Sequence, residues 1–207
     1  MCNTNNVFSG KDIYLIGGGN SFDPTITSKL PTKQVVCINS TYIFFREFLA
    51  LFWMDHSWYQ KNSHKIHKLK TKLYNISTYN QFSTKCGINW IKLYSQDYKK
   101  YSTNLENNSV IGNNTGAAVI DYLDKNKANN IYLLGFDCKR VNGKSHSHNE
   151  YRFKVNEKNY NSVFIPCFEA LNKNLQHAKV YNCSNDSALT FFPYKNLNQA
   201  IAEGSKK

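Results

Sequence analysis

Four short apolar runs set the strongest constraint on what this chain can fold into. They are Ile13–Ile16, Val35–Ile38, Ile131–Leu134 and Val180–Cys183. Each run is bounded by polar or turn residues, and its apolar residues follow one another with little alternation. That pattern is typical of strands buried on both faces, as in a parallel sheet. Leu49–Met54 predicts a fifth strand, with the alternative that its N-terminal part continues a helix from Thr41, and Ile91–Tyr94 predicts a weaker sixth.

Segments with helical spacing lie between these runs. Thr115–Lys125 places Gly116, Val119, Ile120 and Leu123 on one face, and Val163–Leu175 has a similar apolar face. Strands that alternate with helices predict an α/β fold, here a single Rossmann-like, doubly wound, mainly parallel sheet with helices on both faces. We expect residues 1–207 to form one nucleotide-binding domain, with mobile loops in the polar stretches near 95–114 and 139–161.

The net charge of +12 does not by itself predict a nucleic-acid partner. Only three of the 26 basic residues are Arg, and the chain also contains 28 Asn. Lys and Asn share A-rich codons, so an AT-rich genome accounts for both, whereas Arg is the residue favoured for phosphate and guanine recognition. We therefore expect no specific nucleic acid, although a positive surface can attract a smaller anionic ligand.

Several other classes of protein are excluded by the same inspection. No run approaches the roughly 18 to 20 apolar residues that span a bilayer, and the first residues lack the features of a signal peptide. Six scattered Cys contain no C-x2-C pair, which argues against a zinc site and favours reduced thiols. The expectation is a cytoplasmic protein, and nothing in the sequence indicates its oligomeric state.

A glycine-rich loop follows the first predicted strand directly. Gly17, Gly18 and Gly19 are succeeded by Asn20 and Ser21. Glycines at this point allow a tight turn and a close approach of a ligand phosphate or sugar. The spacing is not that of a dinucleotide fingerprint, so the alternatives are a nucleotide-binding loop and a plain tight turn.

The second predicted strand ends in a carboxamide and a hydroxyl, Asn39 and Ser40. If the first two strands are neighbours, Asn39 lies beside the glycine loop. Its carboxamide can both donate to and accept from a base or a ribose. The alternative is that Ser40 or Thr41 caps a helix, and both interpretations can hold together.

Asn114, Thr115 and Gly116 open the predicted helix that follows. Unpaired N–H groups at a helix start can bind an anion, so phosphates of the ligand are expected here. The alternative is a capped helix that packs closely on the sheet.

Asp55, His56 and Trp58 follow the fifth predicted strand. They can supply an acid/base pair, a corner of a metal site or a stacking surface for a base. The alternative is that Asp55 caps a helix and His56 lies on the surface.

A second acid/base candidate combines Asp137 with His146 and His148. Asp137 follows a predicted central strand, and two His that are two residues apart point the same way in an extended segment. They can act as base and orienting group, or hold a divalent cation such as Mg2+ or Mn2+. The alternative is a pair of exposed His in a polar loop, and the sequence leaves the use of a metal open.

Taken in order, GGGNS, CINS, NNTGAA, IYLLGFD and the His-bearing loop resemble a Rossmann-like family of phage and bacterial proteins. That family is described as similar to the archaeal 6-hydroxymethylpterin diphosphokinases. The pattern also distantly resembles the bacterial α-2,3/2,8-sialyltransferases that use CMP-sialic acid. The resemblance spans nearly the whole chain.

The sialyltransferase resemblance implies that Asn20, Ser21 and Asn39 hold a nucleotide, and that His146 or His148 is the base. A nucleotide or nucleotide-sugar would then be the substrate, and glycosyl transfer to an acceptor hydroxyl is the first expectation. The diphosphokinase resemblance implies instead a metal-dependent diphosphate transfer, although the Gly of that family's H-x-H-G-D motif is missing. A third reading is a non-catalytic phage structural or interaction module.

Overall fold

One parallel β-sheet of eight strands forms the centre of the protein. The computed structural model describes residues 6–80, 82, 86–97, 108–141, 143 and 156–204. The strands are β1 (Ile13–Ile16), β2 (Val35–Ile38), β3 (Ala50–Trp53), β4 (Lys72–Ser77), β5 (Ile88–Ser95), β6 (Ser109–Ile111), β7 (Asn130–Leu134) and β8 (Lys179–Asn182). Their spatial order is β6-β5-β4-β3-β2-β1-β7-β8. Every neighbouring pair is parallel.

Helices cover both faces of this sheet. They are α1 (His56–Ile66), α2 (Thr115–Lys125), α3 (Glu157–Asn159), α4 (Ile165–Asn172) and α5 (Leu197–Gly204). A π-helical turn, Tyr160–Phe164, joins α3 to α4, and a 3-10 helix over Asn39–Phe44 follows β2. One apolar cluster packs α2 and α4 on one face, and a second packs α1 and α5 on the other. The predicted α/β fold is confirmed.

The order of the strands creates a switch point between β1 and β7. From β1 the chain runs outward through β2 to β6, then returns to place β7 on the opposite side of β1. Ligands of open α/β sheets bind in the crevice that such a reversal leaves beyond the carboxyl ends of the strands.

Two strands and one short helix differ from the sequence predictions. β4 was not predicted, because its buried positions include the polar Asn75 and Ser77. β6 lies inside the segment near 95–114 that was expected to be a loop, and its three residues are too few for a pattern. Glu157–Asn159 is helical although it lies in the second expected loop, near 139–161.

Candidate functional site

A cavity of about 770 Å³ opens at the carboxyl ends of the strands, across the switch point. Its wall includes the loop after β1 (Gly17–Gly19), Asn39 after β2 and the loop after β7 from Gly135 to Lys139. The start of α2 contributes Asn113 to Gly116. The volume is within the range of cavities that hold small-molecule substrates and cofactors.

The glycine loop is locked against the end of β7. Gly17 N–H donates to the carbonyl of Leu134 at 2.7 Å, and Gly19 N–H donates to that of Gly135 at 2.8 Å. A Cβ on Gly17 or on Gly19 would stand only 2.5 Å from the Gly135 carbonyl oxygen, and Gly135 itself has φ +69°. The close approach of two backbone loops therefore requires glycine here, and it also leaves room for a ligand above them.

Asp137 fixes this loop rather than standing free in the cavity. Its buried carboxylate accepts from the Ser21 N–H at 2.9 Å and from the Ser21 hydroxyl. The same hydroxyl is 2.8 Å from that of Ser184, so one carboxylate ties three loops together. Both oxygens are used in this way, which makes Asp137 a positioning residue for the loop.

Asn20 and Ser21, both predicted to hold nucleotide, lie beside the cavity rather than on its wall. The Asn20 Nδ2 group donates to the carbonyl of Val141 at 3.4 Å. Ser21 is exposed, and its hydroxyl faces Asp137 and Ser184. Their contacts assemble the loops that form the rim of the cavity.

Asn39 has the geometry of a ligand-binding residue. It lines the cavity with φ 50°, a left-handed conformation that Asn tolerates better than most residues. Its side-chain Oδ1 is buried and accepts no hydrogen bond within the part of the chain that the structure describes. A buried acceptor without a donor costs free energy, and a bound ligand can relieve that cost.

Ser40 and Trp58 lie in the hydrophobic core instead of the cavity. Ser40 is fully buried, and its hydroxyl accepts from the Trp58 indole N–H at 2.7 Å. Trp58 is 4% exposed and packs edge-on against Tyr42 and at a tilt against Trp53. Neither residue lines the cavity, and the Trp58 ring has no face open to a base.

Asp55 lines the cavity and caps α1 at the same time. Its Oδ1 accepts from the N–H of Ser57 at 2.8 Å and of Trp58 at 3.1 Å. No hydrogen bond to its Oδ2 occurs among the described residues. His56 is exposed and lies off the cavity wall, so the two residues do not form an acid/base pair in this structure.

The start of α2, where the sequence predicts the phosphates of the ligand, lines the cavity. Asn114 caps the helix, its Oδ1 accepting from the Ala117 N–H at 2.9 Å, while Thr115 and Gly116 line the wall. A Cβ on Gly116 would stand 2.7 Å from the Phe136 ring, so this glycine serves packing. The capped-helix interpretation and the anion-site interpretation both remain compatible with this geometry.

An aromatic and thiol wall was not predicted. Phe136 packs edge-on against Phe168, and both line the cavity with Tyr160 and Cys138. Burial raises the pKa of Tyr160 to about 12, with smaller contributions from the negative charges of Cys138 and Asp137. The Tyr160 hydroxyl is therefore protonated at neutral pH and can donate a hydrogen bond. Burial, with a smaller contribution from Asp137, raises the pKa of the Cys138 thiol to about 12. Cys138 is therefore not a thiolate nucleophile at neutral pH.

The two His that the sequence offers as base candidates cannot be placed in this structure. His146 and His148 lie outside the described residues. Among residues that the structure describes, no three His, Cys, Asp or Glu side chains are grouped as metal ligands. Within the same ranges, no helix has the length and apolarity to cross a bilayer.

Comparison with solved structures identifies proteins with the same fold. The sialyltransferase CstII from Campylobacter jejuni, in complex with the substrate analogue cytidine-5'-monophosphate, aligns with a TM-score of 0.54 and 18% identity over 92% of this chain and 86% of that one. The monofunctional α-2,3-sialyltransferase Cst-I from Campylobacter jejuni aligns with a TM-score of 0.57 and 16% identity over 89% and 80%. A CST-II variant in complex with CMP aligns with a TM-score of 0.52 and 18% identity over 91% and 88%.

Searches by sequence returned no match. No family model matches this chain, and no curated protein matches it. The likeness at 16 to 18% identity is one of fold. This chain shares the α/β fold of the Campylobacter sialyltransferases.

Proposed function

We propose that this protein is a glycosyltransferase that uses a cytidine nucleotide-sugar, as the sialyltransferases of the same fold do. The observation that carries the proposal is Asn39, which lines the cavity at the switch point of the sheet and whose buried oxygen has no partner among the described residues. The left-handed backbone at φ 50° is a strained conformation of the kind that clusters at functional sites.

The nucleotide would bind across the first two strand ends. The Asn39 Oδ1 would accept from the cytosine amino group or a ribose hydroxyl, since both are donors. Gly17–Gly19 would let the ligand approach the backbone, and the phosphate would lie toward the start of α2, where N–H groups and the helix dipole favour an anion. Asn20 and Ser21 would support this loop from the rim.

The proposed reaction transfers the sugar to an acceptor hydroxyl. The acceptor oxygen forms a bond to the anomeric carbon, and the bond from that carbon to the phosphate oxygen breaks. Its electron pair stays on the phosphate, which leaves as CMP, and the acceptor proton passes to His146 or His148 as general base. Positive groups near the phosphate would stabilise the charge that develops there.

A thermal-shift panel of CMP, UDP, GDP, ATP and a pterin, each with Mg2+ and with EDTA, tests the proposal. At a concentration 100 times its dissociation constant, a ligand stabilises by about 2.7 kcal/mol, which raises Tm by about 5 to 10 °C in a chain of this size. The proposal expects such a rise with CMP in EDTA. A rise only with ATP and Mg2+ would favour diphosphate transfer, and no rise at all would favour a non-catalytic module.

The assignment of the base has its own test. His146→Ala and His148→Ala, each compared with His177→Ala as an exposed control, are assayed for release of CMP from a CMP-sugar. One of the first two variants should lose at least a hundredfold in rate, because a positioned base contributes about 10²- to 10⁴-fold. Full turnover in both would remove these residues from the mechanism.

A further inference from the structure

We propose that Lys139 binds the phosphate of the ligand and supplies the positive charge that the leaving nucleotide requires. This inference rests on the proposed function, and it assigns a role to a residue for which the sequence patterns predicted none. Lys139 lies on the cavity wall, two residues beyond Asp137 in the loop that follows β7.

The charges on the cavity wall carry the argument. Of the residues that line it within the described ranges, Asp55, Asp137 and Lys139 are the charged ones. Although the chain has 26 basic residues, Lys139 is the one cation on the described part of this wall. Without it the charged side chains on the described wall would all be carboxylates, which would repel a phosphate dianion.

The backbone of the loop that carries Lys139 is held by hydrogen bonds, which fixes the point from which the side chain extends. The hydroxyl of Ser187 donates to the carbonyl of Phe136 at 2.7 Å, and Ala188 N–H donates to that of Asp137 at 2.9 Å. Asn20 donates to the carbonyl of Val141 just beyond. These bonds tether the loop on both sides of Lys139.

A carboxylate at the rim holds the lysine side chain. Lys139 Nζ lies 2.5 Å from Asp186 Oδ1, and the Asp186 side chain is 87% exposed. An ion pair so open to water is weak, so it orients the lysine without competing strongly with a ligand. Because an ammonium group has three N–H donors, Lys139 can keep Asp186 and still donate to a phosphate oxygen.

The loop that carries Lys139 also contacts the start of α2 through Phe136. Gly116 in the first turn of α2 is packed against Phe136, which is three residues before Lys139. An anion bound between this loop and the helix start would interact with both the lysine and the helix dipole. The ligand class that fits is a nucleotide with a phosphate at this end, in preference to the nucleoside without it.

Calorimetric titration of CMP and of cytidine in EDTA tests this role. The proteins are the wild type, K139M, K139R as the charge-conserving control, and D186N. K139M should bind CMP about tenfold more weakly, because a charge-assisted hydrogen bond is lost, and should bind cytidine as the wild type does. K139R should retain most of the CMP affinity, and D186N should change it by less than threefold.

The outcomes separate this proposal from the one on which it rests. If the wild type binds CMP and K139M binds it within twofold as tightly, the role of Lys139 is overturned and the proposed function stands. An equal loss for CMP and cytidine in K139M would also overturn it, since that result indicates local disruption. A wild type that binds neither ligand would overturn both proposals.

A second measurement covers the case in which K139M fails to fold. The wild-type affinity for CMP should then fall as KCl is raised from about 0.05 to 0.5 M, because salt screens a phosphate–ammonium contact at a partly exposed site. The affinity for cytidine should stay constant over the same range. Salt dependence that is equal for the two ligands would overturn the role of Lys139.

Discussion

Replacing Asn39 with Gly should weaken ligand binding without weakening the fold. The residue combines a left-handed backbone, φ 50°, with a buried oxygen that has no partner in the described part of the chain. Both features cost free energy in the empty protein, which is unusual for a residue kept for stability alone. The substitutions N39G and N39A separate the two features. N39G removes both the carboxamide and the backbone strain, whereas N39A removes the carboxamide and keeps the strain.

The magnitudes follow from these two terms. Removing an unsatisfied buried acceptor gives back about 1 to 3 kcal/mol. A residue with a Cβ in the left-handed region loses about 1 to 2 kcal/mol relative to Gly, and the greater freedom of Gly in the unfolded chain offsets about 0.5 to 1 kcal/mol of that. N39G should therefore be at least as stable as the wild type, and more stable than N39A by about 0.5 to 1 kcal/mol, or a few degrees in Tm.

Urea unfolding and calorimetric titration with CMP measure the two consequences side by side. Both variants should bind CMP about tenfold more weakly than the wild type, because a donor on the ligand would be left without its acceptor. The reasoning would be refuted if N39G were less stable than the wild type by more than about 1 kcal/mol while binding CMP equally well. Asn39 would then serve the fold and not the ligand.

Three further predictions follow from contacts elsewhere. Trp58→Phe removes a buried indole donor and should lower the free energy of unfolding by about 1 to 2 kcal/mol, with CMP affinity unchanged in calorimetry. Asp137→Ala unties the glycine loop and should lower that free energy by about 2 to 4 kcal/mol and weaken CMP binding, both seen in the same assays. Burial raises the pKa of Tyr14, Tyr122 and Tyr160 to about 12, so stability should fall between pH 10 and 12 in urea titrations.

The sign of the alkaline effect comes from proton linkage. A tyrosine has a pKa near 10 in the unfolded chain, so between pH 10 and 12 the folded protein binds more protons and its unfolding free energy decreases as pH rises. Constant stability over that range would contradict the buried phenols. Loss of CMP binding in Trp58→Phe would indicate that Trp58 contributes to the binding site. Unchanged CMP binding in Asp137→Ala would indicate that the position of the glycine loop does not affect the ligand.

The sequence predicted the central strands well because burial on both faces leaves a nearly continuous apolar run. β1 and β2 have the predicted bounds, and α2 begins and ends where its apolar face predicted. β4 was not predicted because it contains the polar residues Asn75 and Ser77, which are nevertheless buried. The Ser77 hydroxyl donates a hydrogen bond to the Asn75 side chain, and the sequence does not show that these two groups satisfy each other.

The sequence predicted which residues approach the cavity better than it predicted which side chains they contact. The glycine loop, Asn39 and the start of α2 follow strands or open a helix, and position alone brings them to one cavity. The partners of a side chain depend on distant residues, so the sequence could not show that Asp137 is bound by Ser21, 116 residues away. The cavity position of Lys139 likewise follows from the bend of its loop, although its place two residues after Asp137 was a usable signal.

A crystal structure of the wild type with CMP, grown in EDTA, would show directly whether the cavity binds the nucleotide. CMP should lie in the cavity at the switch point, with a cytosine or ribose donor within about 3 Å of Asn39 Oδ1 and the phosphate toward Lys139. CMP bound elsewhere on the protein, or a cavity in which Asn39 Oδ1 contacts no ligand atom, would contradict it.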